Sequence, residues 1–147
     1  MDIPRLDAKG VAVELVNDAI KHAFLTLGYA AATSDQDKAV REFLQGKDVF
    51  VSLPTGEGKS LCFATLRAVF DFLKRHLTVC TGSPSAEQSS ICVVVSPLTS
   101  LMKDQVAEFS ERGLKCAYVG EEQDDPAVKA AQLLKVTGFV AATSLVV

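Results

Sequence analysis

Lys59 and Ser60 close the run Leu53-Pro54-Thr55-Gly56-Glu57-Gly58-Lys59-Ser60, and residues of these types at this spacing can hold a triphosphate. Glycines let backbone N–H groups approach phosphate oxygens. A helix beginning near Lys59 would turn its positive dipole end toward them. The Lys59 ammonium can reach the β and γ phosphates, and the Ser60 hydroxyl can complete the coordination of Mg²⁺. On this reading Thr55, Gly56, Glu57, Gly58, Lys59 and Ser60 bind the phosphates of ATP, Ser60 is the magnesium ligand, and Lys59 is the catalytic candidate. The bland alternative is a glycine-rich turn between any strand and helix. The general pattern also carries glycine where Leu53 stands, which narrows the type of loop.

The elements around the loop have to be a strand before it and a helix after it. Val49 to Leu53 is near-continuously apolar and is predicted to be a strand covered on both faces. Ser60 to Lys74 carries Leu61, Ala64, Ala68 and Phe72 at helical intervals. Upstream, Val13, Val16, Ile20, Phe24 and Leu27 predict an amphipathic helix over Val11–Leu27, stopped by Gly28. Ser34 followed by Asp37 predicts a capped helix to Leu44, broken by Gly46. The polar stretch 81–90 predicts a flexible surface loop. Ile91–Ser96 predicts a second buried strand, ended by Pro97. Thr99 or Ser100 is then expected to cap a helix through Glu111, closed by Gly113. Lys115–Val119 reads as a third strand, Glu121–Asp125 as an acidic solvated loop, Ala127–Val136 as a helix, and Phe139–Val147 as β-prone. Strand and helix alternate, so the expected class is α/β with a mainly parallel sheet.

With 147 residues, 48% of them hydrophobic and 22% charged, the chain has the make-up of one folded domain and not of a disordered segment. A net charge of −3 makes it no general trap for nucleic acid, although a local basic surface remains possible. Cys62, Cys80, Cys92 and Cys116 lack metal-ligand spacing and sit among apolar neighbours, so they are expected to be buried reduced thiols. No apolar run is long enough to span a bilayer and none resembles a signal peptide, so no membrane partner and an intracellular location are expected.

Three segments together resemble a known family. Pro54-Thr55-Gly56-Glu57-Gly58-Lys59-Ser60 resembles motif I of superfamily-2 helicases. Val93-Val94-Val95-Ser96-Pro97-Leu98-Thr99-Ser100-Leu101-Met102-Lys103-Asp104-Gln105-Val106 is similar to motif Ia of RecQ-family DNA helicases, and Leu27-Gly28-Tyr29 followed by Gln36 is similar to that family's motif 0. The resemblance implies a RecA-like, three-layer phosphate-loop fold. It further implies that residues 1–147 form a partial, incomplete ATP-binding domain, the amino-terminal part of a first motor lobe. Gln36 would hydrogen-bond adenine and Tyr29 would pack on it. Ser96, Pro97, Leu98, Ser100 and Lys103 would meet the backbone of single-stranded or partly duplex DNA. The implied activity is ATP-dependent 3′-to-5′ DNA unwinding, in the nucleus if the source is eukaryotic.

The departures matter equally. Ala32 and Thr33 stand where the family carries Phe-Arg, so an arginine stacked on the base is absent. No Asp-Glu-x-His or Asp-Glu-x-Asp occurs in the 147 residues, and Glu121-Glu122 and Asp124-Asp125 do not follow a buried strand. That acidic pair would hold Mg²⁺ and orient water for phosphoryl transfer. These 147 residues are therefore expected to bind ATP–Mg²⁺ without unwinding DNA. The rival readings are a non-catalytic, truncated nucleotide-binding or interaction module, and a small-molecule kinase.

Overall fold

Helix α1 (Val13–Thr26) forms because its apolar residues recur on one stripe, and that stripe is buried: Val16, Ala19, Ile20, Ala23 and Phe24 face inward. The computed structural model describes residues 8–81, 90, 92–120 and 139–142. Expectations for 82–89, for the Glu121–Asp125 loop, for the Ala127–Val136 helix and for 143–147 lie outside the described residues. The chain divides into two compact units, Met1–Gly82 and Ser83–Val147.

Among the described residues the first unit holds three helices. α1 packs on α3 (Lys59–Thr81), which also packs on α2 (Ser34–Leu44). The core they share contains Phe24, Leu27, Val40, Leu44, Leu61, Ala64, Val69 and Leu73. α3 continues past the expected Lys74 to Thr81, which takes the first residue of the expected 81–90 loop into the helix. α1 ends in a Schellman arrangement: Gly28 N–H donates to Leu25 O (3.0 Å) and Tyr29 N–H to Phe24 O (3.0 Å). α2 closes with the same bond pair at Gly46 and Lys47.

The expected strand Val49–Leu53 is not formed. Among the described residues of this unit there is no strand to pair with, and a strand exists only through a ladder. The segment keeps a two-residue alternation: Val49, Val51 and Leu53 are half-buried, whereas Phe50 is 94% exposed. Continuous apolar character was the signal for burial on both faces, and only one face is covered.

The second unit carries a three-stranded parallel sheet in the order β1-β3-β2, from β1 (Cys92–Val95), β2 (Cys116–Val119) and β3 (Phe139–Ala142). The register places Cys92 and Cys116 on either side of Phe139. α4 (Thr99–Glu111) packs on β2 and β3 and buries Met102 and Phe109. β1 was expected to be covered on both faces, but Val93 and Val95 are 54% and 64% exposed. Side chains of a pleated strand alternate, and the outward row of β1 has no covering element among the described residues. α4 ends like α1: Gly113 N–H donates to Ser110 O (3.0 Å) and Leu114 N–H to Phe109 O (2.9 Å).

Candidate nucleotide site

The phosphate loop is a tight turn feeding a helix. Glu57 N–H donates to Pro54 O (3.2 Å), and Gly56, at φ +90°, holds the third position of that turn, as a type II turn requires. Leu61 N–H donates to Gly58 O (3.0 Å), and α3 starts at Lys59. The first turn of α3 therefore presents backbone N–H groups that the helix itself does not use. A Cβ on Gly56 would meet nothing within 4 Å, so the loop is open on that side.

Lys59 is exposed, and its Nζ donates to Leu53 O (2.6 Å) and Pro54 O (3.3 Å). The ammonium thus lies folded over the loop's own carbonyls. Ser60, the second residue of α3, is half-buried. Thr55, Gly56 and Glu57 are exposed. The set fits a triphosphate: a positive helix end, an exposed cation and an open turn in one loop. Among the described residues no group of three or more His, Cys, Asp or Glu is placed to hold a metal ion; in the loop itself, Ser60 is the residue whose hydroxyl could ligate magnesium.

Gln36 is brought to this loop from α2, and it is 4% exposed. Its Nε2 donates to Glu57 O (3.4 Å) and Gly58 O (3.2 Å). Its Oε1 accepts from Thr33 N–H (3.0 Å), and its own N–H donates to Thr33 Oγ1 (3.3 Å). The two partners on Nε2 are carbonyls and the partner of Oε1 is an N–H, which fixes which way the amide points. The expected cap from Ser34 and Asp37 is thereby corrected: Thr33 is the N-cap and Gln36 closes a capping box. The signal was legible, since Thr33-Ser34-Asp35-Gln36 has the Thr-x-x-Gln spacing one position earlier. Asp37 instead accepts from Arg41 Nε (2.7 Å), and Arg41 reaches Asn17 Oδ1 on α1 (2.8 Å).

Thr33→Ala is expected to lower the unfolding free energy by about 1 kcal/mol, as removal of a helix cap does, read from the urea midpoint.

Tyr29 follows the end of α1 and is half-buried. Behind the loop, Phe43, Val49, Val51, Cys62, Phe63 and Leu66 line an apolar cavity of about 360 Å³. Burial raises the Cys62 thiol pKa, and the charge of Asp35 adds to it. Burial pushes the Cys92 thiol up to about 11. Both stay protonated at neutral pH and are poor nucleophiles, as expected of structural cysteines. Cys62 is a buried reduced thiol, whereas Cys92 and Cys116 are reduced but only half-buried, against the expectation of burial; the side chain of Cys80 lies outside the described residues.

In the second unit, the residues expected to meet DNA lie between β1 and the first turns of α4. Ser96 is buried, and its Oγ accepts from Leu98 N–H (3.3 Å) and donates to Leu98 O (3.4 Å). This local turn makes Leu98 the N-cap of α4, with no side-chain cap, so neither Thr99 nor Ser100 caps the helix. Pro97, Leu98, Ser100 and Lys103 are exposed. The Lys103 ammonium sits 6.0 Å from the centre of the Tyr118 ring, a cation–π contact. Among the described residues no helix is long and apolar enough to cross a membrane.

Residues 33–145 match the model of the DEAD/DEAH box helicase family. The chain is 43% identical over 83 residues to ATP-dependent helicase SGS1 of Saccharomyces cerevisiae, covering 56% of the chain and 5% of that protein. It is 31% identical over 99 residues to ATP-dependent DNA helicase RecQ of Bacillus subtilis, covering 67% and 14% respectively. Among solved structures it is similar to the DUF1998 helicase MrfA bound to DNA and AMPPNP, at a TM-score of 0.59 and 17% identity, over 97% of this chain and 19% of that one. The chain thus spans only a small part of the length of each.

Proposed function

We propose, for a chain that belongs to the DEAD/DEAH box helicase family and is RecQ-like in sequence, that it supplies the ATP-binding portion of an ATP-dependent 3′-to-5′ DNA helicase. The observation that carries this is the loop Thr55–Ser60 opening α3, with the Lys59 ammonium folded back over the loop. The RecA-like fold of the family and of the structural neighbour supports it.

In this reading the backbone N–H groups at the start of α3 bind the phosphates. Lys59 leaves Leu53 O and Pro54 O for the β and γ phosphates, exchanging neutral acceptors for charged ones. ATP, when bound, supplies the phosphoryl group. Ser60 would hold its magnesium, and Tyr29 would give the base an aromatic face. The uncapped start of α4, with Pro97, Leu98 and Ser100 exposed, suits the phosphates of a DNA strand, and Ser96 shapes that turn from within. Lys103 would add a cation. The parent activity would couple ATP use to strand separation, in the nucleus if the source is eukaryotic.

The second reading, a non-catalytic nucleotide-binding module, draws on the absence of Asp-Glu-x-His from these 147 residues. For the purified chain the expected results are binding of ribose-labelled fluorescent ATP in magnesium, no DNA-stimulated phosphate release, and no displacement of a strand from a 3′-tailed duplex. Strong DNA-stimulated ATP hydrolysis would show that other groups replace the acidic pair. No binding of any triphosphate would overturn the nucleotide reading altogether.

A further inference from the structure

A lysine that meets a phosphate must be ordered to do so, and its long flexible stem is costly to order. In the second unit one lysine is already held. The Lys103 ammonium lies 6.0 Å from the centre of the Tyr118 ring, although its side chain is exposed. The electron-rich face of the ring attracts the cation. Tyr118 itself is half-buried, so the protein packs around part of the ring and leaves part of it open to Lys103.

The topology says where this seat is. β1, β3 and β2 are parallel, so their carboxyl ends lie along one edge of the sheet. The register puts Tyr118 level with Ala141 and Val94, each one residue short of its strand's end. β1 leaves that edge through Ser96, Pro97 and Leu98 and enters α4. In open α/β sheets, ligands bind beyond the carboxyl ends of the strands. Lys103 stands three positions after Ser100 and four after Thr99, on one face of α4. Met102 N–H already donates to Leu98 O (3.2 Å), so Thr99, Ser100 and Leu101 carry the N–H groups that a helix start leaves unused. The seated ammonium, the exposed Ser100 and those N–H groups share one end of α4.

We propose that Tyr118 is a positioning residue for Lys103: its ring holds the ammonium beside the start of α4, where a phosphate of a single DNA strand receives it. The inference rests on the DNA reading above and adds to it a residue outside Val93–Val106. An ammonium has three N–H donors, so it can meet a phosphate while the cation keeps the ring. Tyr118 acts through Lys103 and does not stack on a base.

The test is a double-mutant cycle in the full 147-residue chain, read by fluorescence anisotropy of a labelled oligothymidylate at several salt concentrations. Tyr118→Leu is expected to weaken binding about three- to tenfold, the cost of ordering one long side chain afresh. Tyr118→Phe keeps the aromatic face and is expected to bind like wild type. Lys103→Ala is expected to reduce the salt slope by about 0.7, the share of one phosphate contact on a single strand. Tyr118→Leu should leave that slope unchanged, because the charge is still present. In the Lys103→Ala background, Tyr118→Leu is expected to change affinity by less than about twofold. An equal loss with and without Lys103 would mean that the ring acts on DNA directly or through the fold, and would overturn the proposal. A threefold loss in Tyr118→Phe would overturn it without reference to the leucine variant. Wild-type affinity in Tyr118→Leu would overturn it and leave the DNA reading standing. If the wild-type chain binds no oligothymidylate, both fail together.

Discussion

Gly58→Ala is expected to weaken triphosphate binding by at least about tenfold and to lower the unfolding free energy by roughly 2–3 kcal/mol, because two costs fall on one atom. The first is backbone strain: φ is +71°, which an L side chain rarely adopts. The second is steric. The new Cβ would stand 2.5 Å from Gln36 Nε2 and 3.3 Å from Leu61 Cδ1. The end of a flexible side chain could normally step aside, but this amide is buried and tied to Thr33, Glu57 and Gly58. Moving it opens the capping box and releases the loop together. Gly56→Ala is the control. It carries comparable strain at φ +90° but meets nothing within 4 Å, so its effect should be the smaller. Urea unfolding and fluorescent-ATP titration of the two variants side by side decide this. Equal effects would mean that strain alone is at work.

Lys59→Ala is expected to reduce ATP–Mg²⁺ affinity by about 10- to 100-fold with no loss of fold stability, since a hydrogen bond from a charged donor contributes about 1.5–3 kcal/mol. The ammonium is exposed, and its two partners are the carbonyls of Leu53 and Pro54, on a loop segment beside solvent. Water can take its place there. Alanine is also a good helix former at the start of α3. Lys59→Arg should not restore full affinity, because a planar guanidinium fork does not reproduce a compact, freely rotating ammonium. A drop in urea midpoint for Lys59→Ala would instead make Lys59 a staple for the loop.

The helices were legible because their apolar periods are long and their ends are marked. Gly28, Gly46 and Gly113 each close a helix through the expected pair of backbone bonds. The parallel sheet was legible in kind, from the alternation of apolar runs with helical ones. Val49–Leu53 was not. A continuous apolar run reports how greasy a segment is, whereas a strand is a relation between two segments, and local sequence does not carry the partner. The cap of α2 failed by one residue for a different reason. Ser34 and Thr33 are both capable caps, and the choice was made by Gln36, whose second role lies 21 and 22 positions away at the phosphate loop. The turn and helix start at Thr55–Ser60 were legible as local geometry, because glycines at that spacing serve a backbone conformation that few other demands share; that these residues hold a nucleotide is the proposal made above.

The register of the small sheet has a consequence for handling the protein in air. Cys92 and Cys116 flank the same residue of β3, one strand to each side. Two strand spacings put their Cα atoms roughly 9–10 Å apart, beyond the roughly 7 Å limit for a bridge between them. Oxidation therefore cannot staple this sheet internally through that pair. A covalent bond found at either sulfur after storage would join it to some other thiol, so dimer bands that vanish on reduction would report contact between molecules and not closure within one.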